Sequence, residues 1–417
     1  MSKNETISNY DKILERIHTL EQFCLVQETG LGESLGHILR EDILAEFPMP
    51  PFHKSAVDGY ACRKQDLGHE LRVLEVIPAG KVPVHRIGEN QCAKIMTGGV
   101  VPEGADCVFM IEDAETIEAE TIDTQTNGAE TIGAQTSNTQ KVRCTNLQSN
   151  LNICYLGEDY QPGDVLVKKG SLLGAEHLAV IAGTGRKKIK VAAMPSVGVL
   201  VTGSELVPFD QIPEEGKIRD TNSIQLLSLL KQMHLRPVFY GIISDRYEEL
   251  RALFQQAIRE NDIVILTGGA AVGDFDLVPK IIDDEGFKVL WTRTGLKPGN
   301  PMTCAVKDRS WVFGLSGNPV SSFVQFTYLV KPVIYQLLGA EVIPTRIRAR
   351  MKSGYTRKNG SRLGIIPARI TGEGEVEPIL FNGSAHLNAI PQADVLLEIP
   401  AGTTTIEKGE MSYVRPI

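Results

Sequence analysis

The sequence has no continuous run of about 18 apolar residues, so we expect no membrane-spanning helix. The most apolar stretch, WVFGLSGNPVSSFVQFTYLVKPVIYQLLG, is interrupted by Gly, Asn, Pro, Lys and Gln. The first residues, MSKNETISNYDKILERI, are polar and contain no apolar signal core. These absences predict a cytoplasmic protein.

Cysteine is sparse and unpaired: the seven cysteines are scattered, and no two form a CxxC pair. This disfavours a disulfide framework or a metal cage and predicts reduced, mostly buried thiols. The eight histidines have no partner at metal-ligand spacing, and no Ser-His-Asp or Cys-His constellation stands out. Excess positive charge is also missing, since the net charge is −8. A general nucleic-acid-binding protein needs a basic face, so that class is disfavoured.

What the sequence does contain is 417 residues of ordinary globular composition, enough for roughly two to four domains. Strand and helix patterns alternate from SVGVLVTG to PVSSFVQFTYLVKPVIYQLLG, which predicts a doubly wound, mostly parallel sheet. Short strands broken by Gly and Pro precede and follow it, so the fold class is α/β plus β. The expected domains are 1–50 with 146–180 as a discontinuous N-terminal or linker domain, 51–145 as a small β-rich domain, 181–340 as the α/β domain and 341–417 as a C-terminal β domain.

A polar insert at 113–141 contains AETIEAETIDTQTNGAETIGAQTSNTQ, which repeats Glu-Thr-Ile and holds almost no bulky apolar residue except isoleucine. Such composition is typical of an expanded surface hairpin or loop. We expect no chemistry from this insert.

Three loops leave strands of the α/β domain with one shared pattern, a small hydroxyl residue followed by glycine: VTGSE (201–205), LTGGAAVGD (266–274) and LSGNPVS (315–321). Ligands of open parallel sheets bind beyond the carboxyl ends of the strands. Glycine lets backbone N–H groups approach an anion, and a helix N-terminus favours negative charge. The loops therefore predict an anion-binding cleft; the alternative is that each glycine only makes a tight turn. The first two loops lack the GxxxxGK[ST] pattern, which disfavours an ordinary ATPase. The candidate binding residues are Thr202, Gly203, Thr267, Gly268, Gly269, Gly273, Ser316, Gly317, Asn318 and Pro319.

Carboxylates stand at the mouths of these loops: Glu205, Asp220, Asp274 and Asp276. Beside phosphate-type loops they indicate Mg²⁺ held between protein and phosphate. Asp220, in GKIRDTNS, has an alternative role as a helix N-cap. Lys297, in TGLKPGNP, would supply a cation to the same anion or be an ordinary solvated turn lysine.

The loop PPFHKSAVDGYA (50–61) holds Asp58 between small and apolar residues. Functional loops often have this character. From these residues alone, the segment could be either an ordinary polar loop or part of a functional site.

Taken together and in order, several segments resemble the molybdopterin molybdenumtransferase family, which includes the C-terminal part of gephyrin. They are AVDGYA, KIMTGGVVPEGADCVFMIED, VGVLVTGSELV, GKIRDTNS, LTGGAAVGDFD, LKPGNPM and FGLSGNPVSSFV. The resemblance implies an enzyme that inserts molybdate into adenylylated molybdopterin, requires Mg²⁺ and releases AMP. It also implies that the doubly wound domain is of the molybdopterin-binding type. The implied assembly is an elongated homodimer, in which the SAxDGYA region of one subunit faces the doubly wound domain of the other. The implied partners are a molybdopterin adenylyltransferase upstream and molybdoenzymes downstream; no nucleic-acid or membrane partner is expected.

The resemblance also assigns roles to residues. Asp58 matches the aspartate of the DGY turn, Asp159 the acidic residue of a G-x-D segment, and Asp220 that of the (Y/R)D(T/S)N segment. Asp274 and Asp276 match the acidic pair after the GGxxxG loop. The implied roles are catalytic for Asp58, Asp159, Asp220 and Asp276, metal-binding for Asp220, Glu205 and Asp274, and cofactor-binding for Glu205, Asp274, Lys297 and the glycine-loop residues.

Four positions depart from the family's common pattern and move charge around the expected site. His53 and Lys54 stand where relatives carry an acidic and an amide residue, Ser204 replaces a carboxylate, and Asn300 replaces a lysine. The alternative function is therefore a catalytically weak molybdopterin-binding scaffold or a tungstate-preferring paralogue. An enzyme of different chemistry on the shared domain is disfavoured, because it would not need the SAxDGYA and VPxGAD segments.

Overall fold

The structure is a computed structural model that describes residues 9–22, 25–117, 140–148, 150–269, 277–341 and 344–417. The chain divides into two compact units: Met1–Asp42 with Val167–Ile417, and Ile43–Leu166. Within the described ranges, no helix is both long and apolar enough to cross a lipid bilayer.

The larger unit is built on a six-stranded sheet. Its strands in chain order are β1 Val197–Thr202, β2 Pro237–Ile243, β3 Ile263–Thr267, β4 Lys288–Arg293, β5 Pro301–Lys307 and β6 Ser310–Leu315. Their order in the sheet is β2-β1-β3-β6-β5-β4. The first four run parallel, whereas β5 and β4 are antiparallel to their neighbours. Every residue of β1 and β3 is buried, as expected for central strands of a sheet covered on both faces.

Helices lie on both faces of this sheet, which confirms the predicted doubly wound architecture. Leu226 and Leu230 pack with Val199 against one face, and Leu250 and Phe254 pack against the other. The spacing of four residues within each pair places both side chains on one side of a helix. The α-helices of the described residues are α1 Tyr10–His18, α2 Ala175–Gly183, α3 Asn222–Gln232, α4 Tyr247–Glu260, α5 Leu277–Asp284, α6 Pro319–Gln325 and α7 Lys331–Leu337.

The helical segment that runs from α6 to α7 is continuous but irregular. Phe326–Val330 forms a π-helical turn between α6 and α7. Pro332, at the start of α7, has no N–H for a helical hydrogen bond, so the change of bonding pattern coincides with the proline.

The remainder of the larger unit is mostly β structure, in agreement with the predicted fold class. A second six-stranded sheet has five strands in the order Leu296–Lys297, Leu363–Ile370, Val395–Ile399, Met411–Pro416, Ile347–Arg350. Its sixth strand, Val376–Pro378, pairs with Leu363–Ile370. The short strand Leu296–Lys297 comes from the α/β region of the chain. Two-stranded pairs are Val26–Gly30 with Lys188–Ala192, Leu206–Val207 with Ile218–Arg219, and Tyr355–Thr356 with Thr405–Ile406.

The smaller unit contains its own six-stranded sheet, in the order Cys107–Met110, Gly59–Cys62, Gln91–Ile95, Leu71–Ile77, Lys141–Cys144, Ala114–Ile117. Two-stranded pairs join Lys54–Ser55 to Ile153–Cys154 and Ile43–Leu44 to Val165–Val167. The last two strands of the six are an antiparallel pair at the two ends of the polar insert. Residues 118–139 of that insert lie outside the described residues, so the prediction of a surface loop there stays a prediction.

Candidate functional site

The carboxyl ends of β1, β3 and β6 lie side by side and open into a cleft of about 650 Å³. Because these strands are neighbours in the sheet, the three loops that leave them meet at one edge. Asp245 and Pro301 also line the cleft. The predicted site residues that line it are Thr202, Gly203, Glu205, Asp220, Thr267, Gly268, Gly269, Ser316, Gly317, Asn318 and Pro319.

Glycine allows two of these loops to pack closely. Gly268 has φ of +93°, and a Cβ placed there would lie 1.9 Å from the carbonyl oxygen of Thr202. A Cβ on Gly317 would lie 3.4 Å from the Cα of Gly268. Gly268 is therefore required both by its backbone conformation and by the approach of the neighbouring loop.

The first N–H groups of the loops already have partners inside the protein. Gly203 donates to the Ile243 carbonyl over 3.1 Å, and Gly268 donates to the Leu315 carbonyl over 3.3 Å. The tight-turn alternative is thus the better account of these two glycines. Binding of an anion by the backbone of these loops stays a prediction.

Asn222 connects two of the loops to the start of α3. Its Nδ2 donates to Thr267 Oγ1 and to the Gly317 carbonyl, both over 2.8 Å. The Thr267 hydroxyl in turn donates to the Ser316 carbonyl over 3.0 Å. The Oδ1 atom of Asn222 is buried without a hydrogen-bond partner. Asn222 was not singled out from the sequence as a site residue.

Asp220 is buried at the start of α3 and makes the hydrogen bond expected of its alternative, capping role. Its Oδ1 accepts a hydrogen bond from the N–H of Ser223 over 3.1 Å, which satisfies a backbone donor in the first turn of α3. The same residue lines the cleft, together with the exposed Glu205.

Asp245 is a cleft residue that the sequence reasoning missed. Its carboxylate accepts hydrogen bonds from Thr202 Oγ1 over 2.7 Å and from the N–H and hydroxyl of Ser204 over 3.0 and 3.2 Å. Ser204, one of the departures from the family pattern, therefore ties its loop to Asp245. Its position in the sequence could have indicated it, because Asp245 follows the end of β2 and the other cleft residues also follow the ends of strands.

Gln325 was also missed, and no local signal marks it. This fully buried residue of α6 accepts a hydrogen bond from the N–H of Ser316 over 2.9 Å. Its Nε2 donates to the carbonyls of Gly299 and Pro301 over 3.0 and 2.6 Å. It thereby fixes the SGNP loop to the LKPGNP segment.

Lys297 does not line the cleft. It is exposed and lies opposite Gly364 in a parallel strand pair. Asn300, another departure, accepts a hydrogen bond from the N–H of Gly295 through Oδ1 over 3.1 Å. A role for Lys297 in binding the anion stays a prediction.

Asp58 lies in the smaller unit, exposed at the start of the strand Gly59–Cys62. Its Oδ1 accepts hydrogen bonds from the N–H of Thr97 over 2.6 Å and from its hydroxyl over 2.7 Å. The backbone bond first, and the hydroxyl bond second, hold the pKa of Asp58 below its usual value. Thr97, in the segment KIMTGG, was not singled out from the sequence.

The two basic-capable residues upstream of Asp58 have structural contacts. The Nδ1 atom of His53 accepts a hydrogen bond from the N–H of Leu156 over 3.0 Å, and its ring meets that of Tyr155 edge-on at 5.6 Å. Lys54 pairs with Cys154 across a two-stranded ladder. His53 thereby contacts the segment that leads to Asp159, which is exposed in the same unit.

Three predicted residues, Gly273, Asp274 and Asp276, lie outside the described residues. In the part of the chain that the structure describes, no group of three His, Cys, Asp or Glu side chains is arranged to hold a metal ion.

Comparison with known families agrees with this arrangement. Residues 8–185 match the MoeA N-terminal region (domain I and II), residues 198–336 a probable molybdopterin binding domain, and residues 348–414 the MoeA C-terminal region (domain IV).

Similar proteins extend over nearly the whole chain. A molybdopterin molybdenumtransferase of Staphylococcus aureus is 36% identical over 406 residues, covering 95% of this chain and 92% of the relative. One of Staphylococcus epidermidis is 35% identical over 392 residues, covering 92% and 89%. The crystal structure of the molybdopterin biosynthesis moeA protein from Pyrococcus horikoshii OT3 has a TM-score of 0.76 and 28% identity, covering 99% of this chain and 100% of that one. The chain therefore belongs to the molybdopterin molybdenumtransferase family, whose members are enzymes of molybdenum cofactor biosynthesis.

Proposed function

We propose that the protein inserts molybdate into adenylylated molybdopterin and releases AMP in a magnesium-dependent reaction. The observation that carries the proposal is the cleft in which Asp220 and three glycine loops converge. The relatives named above are molybdopterin molybdenumtransferases, which supports molybdopterin and molybdate as substrates.

The residues of the cleft divide into binding groups and groups that hold the loops. The hydroxyls of Thr202 and Thr267 donate to Asp245 and to the Ser316 carbonyl, so they position their loops. The start of α3, where the N–H of Ser223 donates to Asp220, offers a favourable dipole to phosphate oxygens in the cleft. Ligand phosphates would therefore be oriented by backbone groups that are fixed before binding. Such preorganised groups stabilise developing charge without having to reorganise during the reaction.

The donor set of the cleft fits Mg²⁺. Asp220 and Glu205 supply two carboxylates, and this cation is commonly held by one or two carboxylates, substrate phosphates and water. When bound, Mg²⁺ would neutralise phosphate charge and polarise the scissile phosphate. Asp274 stays a third candidate ligand.

Asp58 supports a second, separate part of the proposed site. Its carboxylate is exposed, and the two bonds from Thr97 fix its orientation and favour its ionised form. We assign Asp58, with Asp159, to a site that a homodimer completes, as the family resemblance implies. Asp276 completes the proposed catalytic set.

The proposal is tested with purified protein, adenylylated molybdopterin, molybdate and Mg²⁺, measuring AMP release and active molybdenum cofactor. We expect AMP release to require both molybdate and Mg²⁺. AMP release at background, with the adenylylated ligand still bound, would instead establish a scaffold. Faster release with tungstate than with molybdate would establish the tungstate-preferring alternative.

A further inference from the structure

A second pocket, of about 430 Å³, adjoins the polar cleft on the other side of the loop that follows β1. It lies between that loop, one side of α3 and the strand β2, which is an edge strand of the sheet. Its apolar lining consists of Leu206, Pro208, Phe209, Ile224, Leu227, Phe239 and Ile242. None of these residues was singled out from the sequence, and the proposed chemistry does not use them.

The pocket presents two aromatic rings to solvent. Phe209 is 57% exposed and Phe239 is 41% exposed, and neither ring stacks on another aromatic ring of the described residues. Ile224, on α3, is 46% exposed beside them. An apolar, aromatic cavity of this size with a few polar groups at its edge is typical of a small-molecule site.

The pocket is continuous with the cleft. Gly203, Leu206 and Asp220 line both spaces, so the two meet around the N-cap of α3. A ligand whose phosphates lie in the cleft can therefore extend past Asp220 into the apolar space without crossing the sheet. This continuity argues for one extended ligand over two unrelated sites.

We propose that the apolar pocket is the subsite for a planar, fused nitrogen heterocycle of the substrate, with Phe209 and Phe239 as its aromatic contacts. The inference rests on the proposed function, whose substrate carries a pterin on one side of its phosphates and a purine on the other. Both rings have the flat apolar faces that aromatic side chains bind by stacking.

The test measures binding of three probes to the full-length protein by isothermal titration calorimetry in the presence of Mg²⁺. AMP carries the purine, pterin-6-carboxylate carries the pterin, and pyrophosphate carries neither and reports on the cleft alone. Phe239→Ala and Phe209→Ala should each weaken a ring-bearing probe about tenfold, the scale of losing one aromatic stacking contact. Pyrophosphate affinity should not change.

Val238→Ala is the matched control for Phe239→Ala. Val238 precedes Phe239 on the same edge strand and is 50% exposed, but it does not line the pocket. It should change the affinity of no probe. The ring-bearing probe that loses affinity in the phenylalanine variants identifies which heterocycle occupies the pocket.

Unchanged affinity for both ring-bearing probes in both phenylalanine variants would overturn the inference. So would a change of oligomeric state in those variants without loss of ring affinity, because the pocket would then be a protein interface. Failure of the proposed function gives a different result from failure of this inference. If the proposed function is wrong, wild-type protein would not bind pyrophosphate. The effect of Phe239→Ala on the affinity of the ring-bearing probes would still show whether the pocket binds a heterocycle.

Discussion

Thr97 donates two hydrogen bonds to a single carboxylate oxygen of Asp58, although the two residues are 39 positions apart in the sequence. The DGY turn supplies the acceptor, and the TGG segment supplies both donors. A Cβ on Gly59 would lie 1.9 Å from the Phe109 carbonyl oxygen, so glycine lets the strand after Asp58 pack against its neighbour. The aspartate is therefore exposed but held in one orientation.

Asp58→Asn tests whether the charge of this residue is used in the reaction. We expect turnover to be lost while ligand binding and dimerisation are retained, because the amide keeps the size of the side chain but not its charge. The measurements are AMP release, titration calorimetry and light scattering. Unchanged turnover would remove Asp58 from the mechanism.

Thr97→Val tests the pH dependence that the same pair predicts. The hydroxyl bond helps to lower the pKa of Asp58, so its loss should raise that pKa. If the ionised form is the active one, kcat/KM of the variant should begin to fall at a higher pH on acidification than that of the wild type. Thr97→Ser keeps the hydroxyl and should keep the wild-type profile. Identical acid limits for Thr97→Val and wild type would contradict the role of the ionised carboxylate.

Asp245→Ala tests whether this carboxylate positions the loop that follows β1. We expect a stability loss of about 1 kcal/mol from its hydrogen bonds and a larger KM, because Ser204 and Thr202 lose their shared acceptor.

Asp262→Ala is its control. Asp262 accepts from the N–H and hydroxyl of Ser196 in the same pattern, at the opposite end of β1. It should lose similar stability without a change in KM. An equal change in KM for both variants would mean that Asp245 acts only through stability.

Gly268→Ala separates backbone conformation from close packing. Gly402 has a similar φ, +89° against +93°, but a Cβ there would meet no atom within 4 Å. Gly402→Ala should cost about 1–2 kcal/mol from the left-handed conformation. Gly268→Ala should cost a further 1–3 kcal/mol, approximately, from overlap with the Thr202 carbonyl, and should impair turnover. Equal thermal denaturation curves for the two variants would refute the packing argument.

Replacement of residues 118–139 by Asn-Gly tests the insert. Ile117 and Lys141 are opposite each other in an antiparallel pair, and Gln140 accepts a hydrogen bond from Val73, so a short turn before Gln140 can close the hairpin. We expect a folded, active protein by circular dichroism and AMP release. Loss of folding would show that the insert is structural.

The architecture of the α/β region was predictable because its signals are local. Uninterrupted apolar strands such as VGVLVT and IVILT, each followed by glycine and then a helical pattern, specify buried parallel strands. The strand β5 was missed, since PMTCAVK follows the turn KPGNP and contains few β-branched residues. Its antiparallel place between β6 and β4 depends on its neighbours and not on its own pattern.

The sequence by itself therefore determined the fold class, the family and the three loops at one edge of the sheet. Only the tertiary structure decided how those loops are held. Asp245 reaches Thr202 across 43 positions, Asn222 reaches Gly317 across 95, and Gln325 reaches Gly299 across 26. The periodicity of apolar residues in the sequence indicates only which residues within a few positions share a face of a helix or strand. These contacts exist because the strand order of the sheet brings distant loops together. The same strand order places Phe239 on an edge strand, where it is partly exposed.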